Sequence, residues 1–244
     1  MKRIHKSTLL LSVIALTMFM TSCEVDSWHN IRGSGPVVSE TREVPIHRDI
    51  YVSVPAEVYI YQSPYQELTL EAQSNVLDAI ETYVEDSELK IRLEDGAGLG
   101  SHETIRIYIS SAMFNSIRLS GSVDLYSETS IVTDVLDVSI SGSGKVDLAV
   151  VANEVRASIS GSGNMWLEGS TINQELTISG SGNIYSFGLD SETADVSISG
   201  SGEAEVRVEE FMKARISGSG SVYYKGYPEI DGKVSGSGNI VNVN

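Results

Sequence analysis

The sequence predicts an all-β protein built as a parallel β-solenoid, in which successive coils of the chain stack strand upon strand. Two observations support this prediction. The tripeptide Ser-Gly-Ser recurs seven times in the second half of the 244-residue chain. The residues on both sides of each copy alternate between apolar and polar, which is the pattern of a half-buried strand. Units that are too short to bury a core alone are expected to bury one by stacking.

The copies of the motif are spaced as the coils of a solenoid. They begin at Ser120, Ser141, Ser160, Ser179, Ser199, Ser217 and Ser235, and all but the first are complete as Ser-Gly-Ser-Gly. The 18 to 21 residues between successive copies suffice for two or three short strands, because a strand extends by about 3.3 Å per residue. An antiparallel sandwich is the alternative, but it does not explain why the motif returns only at every second turn.

The motif itself is predicted to form the corner of each coil. Glycine permits the positive φ of a sharp corner. Serine is small enough to stack on its copy in the next coil, and we expect its hydroxyl to pair with nearby backbone. Any function is therefore expected on the outward positions of the strands beside the motif.

Residues 37–116 have the rhythm of strands without the motif. Tyr51–Ile60 reads as a degenerate unit that lacks the glycines. Terminal repeats of a solenoid are commonly atypical because they shield its open end. We therefore predict one domain over residues 37–244, with irregular strands or a β cap over 37–116 and regular coils over 117–244.

The first 36 residues predict export and lipid anchoring. A basic stretch precedes a short apolar run, Leu9–Met20, and this combination is typical of a secretory signal. The run is too short to cross a membrane, which takes about 20 residues. Cys23, the only cysteine, follows small residues and resembles the lipidated residue of a bacterial lipobox. We predict a signal peptide over residues 1–22 and a lipid-anchored linker over 23–36.

The chain is acidic. Its formal charge is −16, and removal of residues 1–22 takes away three basic residues and no acid, which brings the formal charge to −19. Nucleic acids and anionic lipid head groups need a basic face, so neither is an expected partner. Such a surface attracts cationic partners or divalent metal, and it also simply keeps an exported protein soluble.

Metal and cofactor sites are not predicted. The histidines His29, His47 and His102 have no second ligand at a recognisable metal-binding spacing, so each is expected to be a surface residue. The Gly-Ser-Gly corners do not form the strand-to-helix elbow of a serine hydrolase. No catalytic residue follows from the sequence.

The combination of features resembles one family. A lipobox cysteine, Gly33-Ser34-Gly35, an irregular β half and iterated Ile-Ser-Gly-Ser-Gly units are similar to the head GIN domain proteins of Bacteroidetes, which are described as auto-transporter adhesins and otherwise as a domain of unknown function. The resemblance covers roughly residues 33–242. It implies a right-handed parallel β-helix at the outer membrane, facing the cell surface or the periplasm.

One outward column of the predicted coils carries aromatic residues. Trp166, Tyr185 and Tyr223 occupy equivalent positions after the motif, with Glu205 in the same column. Aromatic side chains in register form a flat stripe that can stack on sugar rings or on a partner protein. Pairing that only stabilises the sheet is the competing interpretation. These three aromatic residues are the candidate binding face for a glycan or protein ligand.

Asp124 and Asp147 form a candidate acidic pair. When Val123 is aligned with Val146, the two aspartates occupy equivalent outward positions of adjacent coils, about 5 Å apart. That separation suits a retaining glycosidase or a divalent-ion site. Two solvated carboxylates on an acidic surface are the simpler interpretation.

Together these features predict a non-enzymatic cell-envelope lipoprotein that acts in adhesion or ligand binding through one face of the solenoid. A carbohydrate-active enzyme, or a binder of metal or polysaccharide that uses the two aspartates, is one alternative. A structural envelope scaffold without a small ligand is another.

Overall fold

The computed structural model describes residues 29–244, so the predicted signal peptide and the lipidation residue Cys23 lie outside the described part. The first half contains β1 (His29–Ile31), β2 (Val37–Arg42), β3 (Asp49–Val52), β4 (Glu57–Gln62), β5 (Glu67–Gln73), helix α1 (Ser74–Leu77), β6 (Ile80–Glu85), β7 (Glu88–Leu93), β8 (Ala97–Leu99) and β9 (Arg106–Ser111). No helix in this described part has the length and apolar character needed to cross a membrane.

The repeat region is a stack of parallel strands. It contains β10 (Ser116–Gly121), β11 (Asp124–Ser127), β12 (Ile131–Val132), β13 (Val135–Gly142), β14 (Lys145–Gly161), β15 (Asn164–Gly180), β16 (Asn183–Gly200), β17 (Glu203–Gly218), β18 (Ser221–Lys225), β19 (Glu229–Gly236) and β20 (Asn239–Asn242). Each motif serine pairs with its copy in the next coil, from Ser120 with Ser141 to Ser217 with Ser235. The predicted parallel β-solenoid is confirmed, and the antiparallel sandwich is wrong for these coils.

Apolar columns inside the coils form the core. The column before the motif reads Leu119, Ile140, Ile159, Ile178, Ile198 and Ile216, all at most 2% exposed. Burial of one such side chain contributes about 1.5–3 kcal/mol. Because every coil repeats the same inward positions, the core runs unbroken along the axis of the stack.

The glycines of the motif permit this close stacking. Gly161 has a φ of +130°, and a Cβ added there would collide with the carbonyl oxygen of Gly142 in the preceding coil. The corner is held by a backbone hydrogen bond, in which the N–H of Ser162 donates to the same oxygen at 2.9 Å. The motif serines keep their side chains largely at the surface, so backbone bonds rather than the predicted hydroxyl bonds hold the corners.

The first half forms an irregular end of the same stack. The coil made by β3 and β4 pairs in parallel with β10 and β11 on one side and with β7 and β9 on the other. Three further strands then pair antiparallel, with β6 on β7, β5 on β9 and β2 on β5. We call the part formed by β2 and β5–β9 the cap, because it covers the end of the parallel stack.

Part of the predicted linker belongs to the folded structure. Strand β1 pairs in parallel with β8, and the N–H of Gly33 donates to the carbonyl oxygen of Ser101 at 2.9 Å. Residues 29–33 are therefore attached to the cap, so the described structure begins before residue 37.

Candidate functional site

One outward column runs across the stack from the cap to the last coils. In spatial order it reads Tyr108, Tyr59, Tyr126, Asp147, Trp166, Tyr185, Glu205 and Tyr223. Each is the register partner of the next, so with about 4.8 Å between strands the column is about 34 Å long. We call it the aromatic stripe, and the part from Trp166 to Tyr223 is its distal segment.

The three predicted aromatic residues all lie in this stripe. The rings of Trp166 and Tyr185 are stacked, with centroids 5.0 Å apart and planes at 26°. Tyr223 is separated from Tyr185 by Glu205, which occupies the coil between them. The structure therefore brings the first two together and places the third one strand beyond an acidic residue.

Three members of the stripe were missed by sequence reasoning. Tyr59 and Tyr108 lie in the first half, where no motif fixes the register. Tyr126 follows the first, incomplete copy of the motif. Alignment on Ser-Gly-Ser itself, instead of on the valine after it, would have placed Tyr126 beside Asp147.

Stacking covers most of the ring faces in the stripe. Tyr59 stacks on Tyr108 at 5.3 Å and 17°, and on Tyr126 at 5.5 Å and 22°. Rings that are nearly parallel at the strand spacing turn their faces toward each other and their edges toward solvent. Such a run stabilises the sheet, and between the two ends of the stripe ring faces are open only where the column is interrupted.

The first interruption, at Asp147, is filled by the protein itself. The Nζ of Lys145 lies 4.9 Å from the ring centroid of Tyr126 and 5.0 Å from that of Trp166. The same atom is 3.4 Å from Oδ2 of Asp147. An ammonium group thus lies midway between two aromatic rings and beside a carboxylate, which is a favourable cation–π arrangement.

The second interruption, at Glu205, lies where two shallow depressions of about 310 and 450 Å³ meet. Both are lined by Phe187 and Glu205. Burial raises the pKa of the Glu205 carboxyl above its ordinary value, Lys225 opposes this shift, and Glu203 adds to it. A partly buried carboxyl between two aromatic residues distinguishes this interruption from the rest of the stripe.

A bulge in β16 builds the wall of these depressions. Ser186 pairs with Val206 and Asp190 with Arg207, so the three residues between them, Phe187–Leu189, have no partner in β17. Bulges of this kind commonly redirect a side chain beside a functional site. Here the bulge places Phe187 next to the distal segment, where the Nζ of Lys225 lies 4.3 Å from its ring centroid.

A buried polar network supports the bulge from inside the solenoid. Ser186 is fully buried, and its Oγ donates to the carbonyl oxygen of Glu205 at 2.6 Å. Gln174 and Ser191, also buried, both donate to the carbonyl oxygen of Arg207, at 3.1 and 2.8 Å. The network holds the β17 backbone on both sides of Val206, so the position of Glu205 is set by internal hydrogen bonds.

The predicted acidic pair is wrong in its register. Asp124 pairs with Lys145, and Asp147 pairs with Tyr126 and Trp166. The first copy of the motif lacks the glycine at its fourth position, so Val123 takes the place of Gly144 and the residues of β11 that follow move by two positions. Oδ1 of Asp124 instead accepts a hydrogen bond from the N–H of Lys145 at 2.9 Å.

Acidic residues and histidines outside the stripe are arranged as follows. No group of three or more His, Cys, Asp or Glu side chains within residues 29–244 is arranged to hold a metal ion. His47, expected at the surface, is only 1% exposed, and burial lowers its pKa while the carbonyl of Pro45 and the carboxylate of Asp49 oppose this shift. It lies at the start of β3, away from the stripe.

Comparison with known proteins agrees with this architecture. The sequence model of the family described as "Putative auto-transporter adhesin, head GIN domain" matches residues 47–228. The chain belongs to the head GIN domain family. The resemblance inferred from its motifs is thereby confirmed, and the match spans both the cap and the repeat region of this head GIN domain protein. No curated protein matches the sequence.

Solved structures share the fold of this head GIN domain. The crystal structure of a "putative adhesin" from Bacteroides fragilis NCTC 9343 has a TM-score of 0.82 and 25% identity, and the match covers 88% of this chain and 100% of that chain. A "putative lipid binding protein" and a "putative adhesin" from Parabacteroides distasonis ATCC 8503 have TM-scores of 0.70 and 0.68 at 21% and 20% identity, with the same coverage. These last two show the fold alone, and the family and the Bacteroides neighbour are adhesin-like rather than enzymatic in description.

Proposed function

We propose that this head GIN domain protein is a non-enzymatic, lipid-anchored adhesin of the outer membrane, displayed at the cell surface, and that the distal segment of its aromatic stripe binds a glycan chain. The observation that carries the proposal is the distal segment itself. It combines open ring faces at Glu205, a bulge that adds Phe187, and an internal hydrogen-bond network that fixes both.

The shape of the site favours an extended ligand. Small molecules are usually held in pockets that bury most of their surface, whereas the two depressions beside Glu205 are shallow and open onto one continuous face. Aromatic rings supply apolar platforms, and their hydroxyl edges supply hydrogen bonds. A flat face with regularly spaced rings and carboxylates suits a chain of sugar units lying across the coils.

The proposed anchor agrees with the direction of the chain. The described structure starts at the cap, where β1 pairs with β8, so a lipid on Cys23 would hold the cap nearest to the membrane. The last coils, with Tyr185 and Tyr223, then project farthest outward. This orientation presents the distal segment to ligands outside the cell.

The glycan proposal is tested by retention of the protein on a panel of immobilised polysaccharides. Tyr185→Ala and Tyr223→Ala, which remove the rings on either side of Glu205, are expected to weaken binding about fivefold each, since loss of one stacking platform removes on the order of 1 kcal/mol. Tyr227→Ala is the matched control, because Tyr227 is 86% exposed and lies outside the stripe. Unchanged binding in both stripe variants, or a wild-type protein that binds no member of the panel, would overturn the proposal.

The anchor and the display are tested in cells. A clickable fatty acid should label the wild-type protein and fail to label Cys23→Ala. Protease added to intact cells should remove the protein from the surface while leaving a periplasmic marker untouched. Labelling of the variant, or full protection of the wild type, would contradict the proposed location.

A further inference from the structure

We propose that the second interruption of the stripe is an ammonium-binding subsite, so that the glycan bound by this protein carries free amino groups. This inference rests on the proposed glycan-binding function and names the class of sugar that the distal segment selects. The argument comes from comparing the two interruptions of the same stripe.

The first interruption shows what such a site looks like when it is filled. Tyr126, Asp147 and Trp166 follow one another in register, and the ammonium of Lys145 lies 4.9 and 5.0 Å from the two ring centroids. Rings two strands apart are separated by about 9.6 Å. An ammonium group therefore fits midway between them, with the carboxylate of Asp147 at 3.4 Å to balance its charge.

The second interruption repeats this order of residues, and no lysine or arginine of residues 29–244 lies over its two tyrosine rings. Tyr185, Glu205 and Tyr223 follow one another in the same order of aromatic, carboxylate and aromatic. The register partners of Lys145 in the following coils are Asn164, Asn183 and then Glu203. Glu203 therefore holds in the second interruption the position that Lys145 holds in the first. An acid thus replaces the lysine, and the site has two carboxylates where the first interruption has an ion pair.

The cations around the second interruption lie at its edge, where Lys225 lines the same depression as Glu205 and Tyr223. Lys225 lies over the ring of Phe187 at 4.3 Å, and Arg207 pairs with Asp190 at 3.3 Å. Burial of Glu205, together with the charge of Glu203, disfavours the ionised carboxyl, although Lys225 opposes this effect. An external ammonium between the two carboxylates would favour the ionised form of Glu205 and would contact the ring faces of Tyr185 and Tyr223.

The rest of the surface favours the same ligand class. A formal charge of −16 repels polyanionic glycans and attracts polycationic ones. Phe187 closes one side of the depression, so a flat sugar ring that carries its amine at the edge can lie against the phenyl ring while the amine points to Glu205. A glycan with free amino groups meets all of these features, and its N-acetylated counterpart keeps the shape but loses the charge.

The experiment compares two oligosaccharides of equal length and backbone, a fully deacetylated chito-oligosaccharide and its fully N-acetylated form, by titration calorimetry. The wild-type protein is expected to bind the deacetylated form about tenfold more tightly, because cation–π and ion-pair contacts to the ammonium act together. The preference should shrink as salt is raised, because exposed charge interactions are screened.

Two variants locate the preference at the second interruption. Glu205→Gln removes the central carboxylate and should reduce the preference to about threefold or less. Glu203→Lys supplies an internal ammonium at the position that Lys145 holds, and it should abolish the preference by filling the site. Glu192→Gln removes one exposed charge from β16 outside the stripe and should leave the preference unchanged.

The outcomes separate this inference from the function on which it rests. Equal affinity of the wild type for the two oligosaccharides, or a preference that persists in Glu203→Lys, would overturn the ammonium subsite while leaving glycan binding in place. Stripe-dependent binding of other polysaccharides with no binding of either oligosaccharide would do the same. Absence of binding to every glycan would overturn both.

Discussion

The strands of the repeat region and those of the cap are arranged in different ways. In the repeat region the order of the coils in space is their order in the sequence, and each coil from β13 to β17 lies in register with its neighbours except at the irregularities of β15–β17. Next to the cap, the β3–β4 coil lies between strands that come later in the chain, and antiparallel pairing within the cap ends the stack. The stack is thus extended along its axis by coils of similar form, whereas its end is covered by strands of a different form.

Glycine has a different role in the two regions. In the repeats the motif glycines allow one backbone to approach the next, while in the cap a glycine such as Gly96 (φ +78°) forms a turn with open space around it. The same substitution should therefore have very different effects in the two places.

The largest expected effect is that of Gly180→Ala in the repeat region. Gly180 has a φ of +126°, and a Cβ there would collide with the carbonyl oxygen of Gly161. Backbone strain and overpacking together should lower the free energy of unfolding by about 3 kcal/mol or more. Gly96→Ala, which has only the strain, should lower it by about 1 kcal/mol. Urea denaturation followed by circular dichroism measures both, and equal losses would show that close stacking is not what requires the motif glycine.

A smaller effect is expected at the junction of the two regions. Arg118 of β10 reaches across the β3 strand to Glu88 of β7, which is only 7% exposed, and its Nε donates to Oε1 of that residue at 2.8 Å. Arg118→Met leaves the carboxylate without this donor and should lower the free energy of unfolding by about 2 kcal/mol.

The Glu88→Gln and double variants complete a cycle for this junction. Coupling between Arg118 and Glu88 of about 1 kcal/mol or more is expected, because the carboxylate is buried. A coupling energy near zero would mean that this ion pair does not contribute to holding the cap to the coils.

The smallest expected effect is a pH dependence that belongs to the cap side of the molecule. Burial lowers the pKa of His47, so the unfolded chain binds the proton more readily than the folded one. The stability that neutral His47 contributes is fully present above the ordinary pKa of about 6.5. It is lost as the pH falls through the lowered pKa of the folded state. A pKa shift of one unit corresponds to about 1.4 kcal/mol.

His47→Phe should flatten this dependence. The measurement is the difference in unfolding free energy between wild type and variant at pH 7.5 and at pH 5.5, which cancels the titration of the many surface carboxylates. Hydrogen exchange should show the wild-type loss first in β3 and the strands around it. A difference that does not change with pH would contradict the role of His47.

The sequence predicted the repeat region in detail because the motif itself sets the register. With Ser160 and Ser179 aligned, Trp166 and Tyr185 fall into one column, and the structure stacks them. The alignment of the first copy was wrong, because Val123 stands where the later copies have the glycine at the fourth position of the motif. That single exchange produced the wrong pairing of Asp124 with Asp147.

The strand pairing of the cap and the bulge in β16 could not be predicted from the sequence, for physical reasons. Nothing local shows that Tyr59 and Tyr108 become neighbours, because their strands are brought together by pairing across 49 residues, the same separation as between Glu57 and Arg106. The bulge at Phe187 interrupts the two-residue period inside a strand. The polar residues Ser186 and Ser191 at inward positions were its only visible sign, and polar residues inside a core require partners that a sequence does not show.

The register of the coils also has an evolutionary consequence. Because each motif corner meets its copies above and below in the same way, a gene segment that encodes one coil can be duplicated or deleted in frame without disturbing the fold of its neighbours. Every such event between the cap and Glu205 moves Glu205 by one strand spacing relative to the cap. In a lipid-anchored protein the number of these coils would then set how far from the membrane the proposed binding site is held.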